Sequence, residues 1–218
     1  MDIRSTRKTA IMVDGGFYRN RAVALWGKKS APERANELFD YCLKHIREPE
    51  EPRDLYRIFY YDCEPMEREM QHPLTQKVVS FLESDAYKWS RTFFNQLAKK
   101  RKVALRMGEL AEAQATYALK REALHDLLSK KRSVDDLAPD DFFIDVKQKG
   151  VDMRIGLDIA SLAYGRYVDQ VILIAGDSDF VPVAKMARRN GIDFLLDPLK
   201  QFPKKLLLEH IDGIETFV

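Results

Sequence analysis

The sequence predicts an α/β protein with a mainly parallel central sheet and crossover helices. Three observations carry this reading. Short apolar runs stop on Asp or Gly, as Ala10-Ile11-Met12-Val13 does at Asp14-Gly15-Gly16, which is how buried strands closed by turn residues read. Longer segments between them repeat apolar residues at three- and four-residue spacing, the mark of helices with one buried face. The last third alternates strand and helix, a rhythm that demands parallel strands joined by crossovers.

In chain order, residues 10–13 predict the first strand, and 17–25 and 32–46 two helices, the second with Leu38, Cys42, Leu43 and Ile46 on one stripe. Residues 48–53, with Pro49 and Pro52, predict a charged loop. The β-rich run 55–61 predicts a strand ending at Asp62. Beyond it the pattern predicts a helix over 75–100, a strand over 103–107, a heavily charged helix over 111–132 and a strand over 142–146. Residues 151–164 form an amphipathic helix with Ile155, Ile159 and Leu162 aligned. The fully apolar strand 170–175 ends at Gly176-Asp177-Ser178-Asp179, and the helix 180–189 closes on Asn190-Gly191. A strand over 192–196, a short helix over 203–209 and a strand over 214–218 complete the reading. The texture changes over 65–141 with no Gly/Ser linker. The expectation is therefore a single domain over 1–218, with 65–141 as a charged, mostly helical insertion or lid.

Lys plus Arg is 36 against 34 for Asp plus Glu in 218 residues, a net charge of +2. That balance weakens the case for a dedicated basic coat and leaves it to local clusters, and 45% hydrophobic with 32% charged residues exclude a disordered chain. Cys42 and Cys63 make no metal-ligand spacing and fit a reducing compartment. No leader-like apolar region opens the chain, and no run approaches the ~18 apolar residues of a membrane span. A cytoplasmic protein without a membrane partner is the expectation, and a homo-oligomer is compatible with it. The four histidines are scattered, with no ligand spacing.

Acidic residues fall where elements end. Asp14 follows the first strand, Asp152 opens a helix after Lys147-Gln148-Lys149-Gly150, and Asp177 and Asp179 follow the 170–175 strand. Ligands of open α/β sheets sit outside the carboxyl ends of the strands. If the first and the 170–175 strands are neighbours, these carboxylates share one crevice. Like charges ~4 Å apart cost on the order of 4 kcal/mol at an effective dielectric of 20, so a cation such as Mg²⁺ or Mn²⁺ is the natural counterpart of this oxygen set. Such an ion acidifies water and stabilises the attacking and leaving oxygens of a phosphodiester. Each residue also has a plainer reading: Asp14 as a turn former, Asp152 as a charge favoured at a helix start, Asp177 or Ser178 as a helix cap.

Ile11-Met12-Val13-Asp14-Gly15-Gly16-Phe17, then Lys149-Gly150-Val151-Asp152, then Asp158, then Gly176-Asp177-Ser178-Asp179-Phe180-Val181-Pro182 resemble the NYN domain of the LabA-like group, which is similar to PIN nucleases. The resemblance runs in order over about residues 9–196, and Tyr60-Tyr61-Asp62 fits the family's second strand. It implies a PIN-like three-layer fold and a metal-dependent ribonuclease. By matching position, Asp14, Asp152, Asp177 and Asp179 are the implied metal-binding and catalytic set. Asp158 matches a further family carboxylate but falls on a different helical face from Asp152. Phe17 stands where many members carry Asn.

Lys147, Lys149 and Ser178 are candidates to hold a substrate phosphate, Lys99-Lys100-Arg101-Lys102 to track a nucleic-acid backbone, and Phe17, Tyr18, Tyr60 or Tyr61 to stack on an unpaired base. The leading expectation is a Mg²⁺/Mn²⁺-dependent endoribonuclease acting on single-stranded RNA. Two others stand beside it: an RNA- or nucleotide-binding regulatory module with weak or absent turnover, and a phosphatase of small phosphate esters.

Overall fold

A computed structural model describes residues 6–47 and 51–218. Part of the loop expected over 48–53 lies outside these residues. The chain begins with β1 (Arg7–Asp14), α1 (Gly15–Trp26), α2 (Ala31–Ile46) and β2 (Arg53–Cys63). It continues through a small hairpin, β3 (Glu69–Gln71) and β4 (Val78–Ser80), to α3 (Asp85–Ala98) and β5 (Val103–Leu110). A second hairpin, β6 (Thr116–Leu119) with β7 (Phe142–Asp145), encloses α4 (Arg121–Leu128). Then follow β8 (Gln148–Lys149), α5 (Val151–Tyr164), β9 (Gln170–Ile174), α6 (Val181–Arg189), β10 (Asp193–Asp197), α7 (Lys205–Leu208) and β11 (Gly213–Ile214).

The central sheet has the order β11-β10-β9-β1-β2-β5-β8, parallel except for the antiparallel β5–β8 edge. Alternate residues of β1 serve two cores, as a strand of period 2 covered on both faces requires. Ala10 and Met12 pack with Ile155 and Ile159 of α5 and with Ala184 and Ala187 of α6. Ile11 and Val13 pack with Tyr18 of α1, Leu38 of α2 and Phe93 of α3. The three-layer arrangement expected from the sequence is the one observed.

Three local expectations are corrected. The helix expected over 75–100 begins only at Asp85. Before it, Gln76 turns with φ 59°, the His72 ring accepts from the Leu74 and Thr75 amides, and the β-branched pair Val78-Val79 forms a strand. The helix expected over 111–132 is displaced in its first half by β6, because residues 142–145 supply a strand partner from outside that window. The strand expected over 214–218 pairs only at Gly213–Ile214.

The residues after β11 are held instead by side chains. Thr216 donates to Asp197 Oδ1 at 2.6 Å, and the Phe217 amide donates to the Tyr41 hydroxyl at 3.3 Å. Beneath them, His45 is fully buried between Asp197 and Glu215, at 2.9 Å from each, and Arg53 grips Glu215 through both terminal nitrogens at 2.6 and 2.7 Å. Among the described residues no helix is long and apolar enough to cross a membrane.

Candidate acidic active site

β1 lies between β2 and β9, with Val13 opposite Ile174. Going outward from β1, the chain order runs one way through β2 and β5 and the other way through β9 and β10. The reversal opens a crevice at the carboxyl ends of β1 and β9, the position where such sheets bind ligands.

Asp14 ends β1 and caps α1, its Oδ1 accepting from the Phe17 amide at 3.1 Å. Gly15 starts the helix because nothing larger fits: a Cβ there would stand 2.5 Å from the Tyr60 hydroxyl and 2.6 Å from Asp62 Oδ2. Gly176, after β9, is equally constrained, since a Cβ would meet the Phe17 ring at 2.5 Å. Asp177 caps the short 3-10 turn that follows, its Oδ1 accepting from the Asp179 amide at 3.2 Å. That cap accounts for Asp177 and leaves Asp179 exposed with no such duty. Asp152 stands in the first turn of α5, behind Gly150 in a left-handed conformation (φ 78°), and α5 docks against both β1 and β2. Asp152 and Asp179 line one cleft of about 380 Å³ between α5 and α6.

Electrostatics ties the four together. Burial pushes the Asp14 carboxyl up to about 6; the Phe17 amide opposes this, and the charges of Asp152 and Asp62 add to it. Burial also raises Asp152, reinforced by the charges of Asp177 and Asp179. Among the described residues, none of these four carboxylates has an ion-pair partner. Asp62 and Asp158 differ. Asp62 is buried against Arg19 at 2.9 Å and accepts from the Tyr60 hydroxyl, whereas Asp158 takes the Arg106 guanidinium at 3.0 Å and the Tyr61 hydroxyl at 2.8 Å. Both are satisfied packing groups, which separates Asp158 from Asp152 as their different helical faces suggest.

The oxygen donors and the missing counter-charge suit a divalent cation. Among the described residues, no three His, Cys, Asp or Glu side chains are close enough together to ligate one. Hard oxygen donors of this kind are the type that a divalent ion takes alongside its own waters.

The other candidates divide. Lys147 and Lys149 are exposed and lie close in sequence to Asp152; Lys149 lies opposite Glu109 at the carboxyl end of β5. Ser178 accepts from Lys204 Nζ at 3.2 Å, which brings a cation beside Asp177 and Asp179. The run 99–102 is a correction: it precedes β5, at the opposite end of the sheet from the crevice, with Lys100 bonded to Asn36 and Lys102 to the Leu55 carbonyl. Tyr18, Tyr60 and Tyr61 are fully buried, so none can stack on a base, and Phe17 packs against Gly176. The sequence reading passed over Trp89 and Asn20, which line a cavity next to Gly16. Trp89 stands in α3, where helical spacing makes any aromatic residue look like core.

The mostly parallel sheet, covered by helices and reversing its order at β1 and β9, is consistent with a PIN-like fold. The NYN domain model matches residues 43–207, about three quarters of the described chain, and the protein belongs to the NYN domain family. The match includes Asp152, Asp177 and Asp179 and begins after β1, so it does not cover Asp14, which lies next to β9 by strand pairing. Among proteins with curated descriptions, none matches the chain. A crystal structure of a protein of unknown function from Vibrio parahaemolyticus is similar at 14% identity and a TM-score of 0.48, over 98% of this chain and 94% of that one.

Proposed function

We propose that the protein is a metal-dependent endoribonuclease that hydrolyses phosphodiester bonds of single-stranded RNA. The observation that supports this best is the set Asp14, Asp152, Asp177 and Asp179, drawn from three separate segments to the ends of β1 and β9 and left without cationic partners. These four would hold Mg²⁺ or Mn²⁺, which supplies charge neutralisation at phosphate and acidifies water. A carboxylate of the set that is not bound to the ion would serve as general base for the attacking water. Lys147 and Lys149 offer positive charge beside Asp152, and Ser178 with Lys204 offers hydrogen-bond donors beside Asp177, so a phosphate entering the crevice meets cations on both flanks.

The absence of a compact three-carboxylate group among the described residues favours a second reading, an RNA-binding module without turnover. One experiment separates the two: incubation of end-labelled single-stranded RNA with Mn²⁺, Mg²⁺ or EDTA, beside the Asp177→Asn variant. The nuclease reading expects metal-dependent cutting that the variant reduces at least 100-fold, in line with the loss of a group that acts at the reacting centre. RNA bound in EDTA with no product under any metal supports the module instead.

A further inference from the structure

Beside the acidic crevice lies a cavity of about 640 Å³ between α1, α3 and β8, well within the size range of small-ligand sites. Gly16 belongs to both places. It lines the cavity, and a Cβ on it would stand 3.5 Å from Asp14 Oδ1 and 3.9 Å from Gln148 Oε1. We propose that this cavity receives one nucleotide of a single-stranded RNA next to the bond to be cut, its base packing against Trp89. The proposal rests on the nuclease reading of the crevice and adds the site that selects the substrate.

The indole is held firmly. Its ring stacks on Phe93 with centroids 5.1 Å apart and planes 12° apart, and its N–H donates to the Lys29 carbonyl at 3.0 Å. A half-buried, fixed aromatic surface is what an unpaired base stacks on, whereas the tyrosines at the strand ends are buried. Around it stand groups with hydrogen-bonding capacity to spare. Asn20 and Gln148 are exposed side chains bonded to no other described residue, and the Arg19 Nε is buried without a partner. An amide side chain presents a donor and an acceptor side by side, the pattern needed to read a base edge. Charge points the same way. Lys29 and Arg34 share the single carboxylate of Glu37, which balances one of their two charges, and Lys28 has no ion pair among the described residues, so positive charge is left at this rim to meet a phosphate.

A continuous strand suits the site better than a free nucleotide, because the cavity adjoins a second one of about 270 Å³ that shares Arg19, Ala86, Ser90 and Gln148 with it. The chain contains two tryptophans, so Trp26→Phe leaves Trp89 as the reporter. In that background, with Asp177→Asn added to prevent cutting, octamers of A, C, G or U are titrated in Mg²⁺ and in EDTA while Trp89 fluorescence is read. The proposal expects saturable quenching with at least a several-fold preference among the four bases. Asn20→Ala and Lys28→Ala, both at exposed positions that leave the fold intact, are each expected to weaken binding about tenfold. No quenching, or quenching that neither variant changes, overturns it. Nucleoside monophosphates binding as tightly as octamers overturn the RNA assignment in favour of a free nucleotide. Cutting by the unmodified protein without any Trp89 response removes the pocket and leaves the nuclease. Quenching by RNA in a protein that never cuts removes the nuclease and leaves the pocket.

Discussion

Asp14 caps α1 through Oδ1 while its charge is held, half-buried, near Asp152 and Asp62. Its carboxyl stands at about 6 in the fold against 3.8 when unperturbed. A carboxyl raised in this way favours folding only when protonated, so it weakens the protein fully above pH 6 and less as the pH falls toward 3.8. Asp14→Asn, which keeps a good capping residue, should therefore stabilise the protein at pH 8 by up to about 3 kcal/mol and do little at pH 4, while abolishing cleavage. Thermal melts in EDTA at the two pH values check this, and a variant no more stable at pH 8 would count against the buried charge. The places of Asp14 and Asp177 after β1 and β9 were legible because Asp beside Gly marks the end of a strand whatever its partners are. Trp89 was not, since a single sequence cannot say which aromatic residue of an amphipathic helix has one face left open.

The start of α1 sets how the helix meets the sheet. With the Tyr60 hydroxyl and the Tyr61 carbonyl each 2.5 Å from where a side chain would begin, Gly15→Ala forces α1 or β2 to move. Overpacking of this kind costs roughly 1–3 kcal/mol, and the displacement would carry Asp14 with it. A urea melt with the midpoint lowered and the slope unchanged, together with at least a tenfold loss of cleavage, is the expected result. Helices that bury a stripe on a continuous core, such as α5, had bounds readable from spacing alone. Residues 75–84 and 111–120 did not. Their strands exist because β3 meets β4 and β6 meets β7, and for β6 the partner is 23 to 29 residues away, from Leu119 with Phe142 to Thr116 with Asp145, which leaves no trace in a local window.

At the scale of the molecule, the ion network under the C-terminal residues ties α2, β2 and β10 together. Burial works against both charges here, yet the hydrogen bonds with His45 and Arg53 hold Glu215 down at about 2, and those with Asp197 and Glu215 leave His45 above its ordinary value. The signs oppose each other. The Glu215 contribution is complete above about pH 4.5 and is lost as the pH falls toward 2, whereas that of charged His45 is complete below pH 6.5 and is lost as the pH rises through its higher folded value. Glu215→Gln should lower stability by about 1–2 kcal/mol near pH 6, solvent screening of the partly exposed carboxylate included, and flatten the acid limb between pH 4.5 and 2, as read from Tm against pH. The parallel sheet was legible from the rhythm of its elements. The neighbourhood of β1 and β9 was not, because strand order depends on which crossover reaches back across the sheet, and here that is α5.

That return path divides the acidic site between two stretches of chain. Asp14 belongs to the stretch before the exposed residues 129–131, and Asp152, Asp177 and Asp179 to the stretch after them. Neither portion holds a complete centre, and β1 must slot between β2 of its own portion and β9 of the other before the four carboxylates meet. A chain divided at those residues is thus a two-part lock: catalysis would report that the halves had found each other.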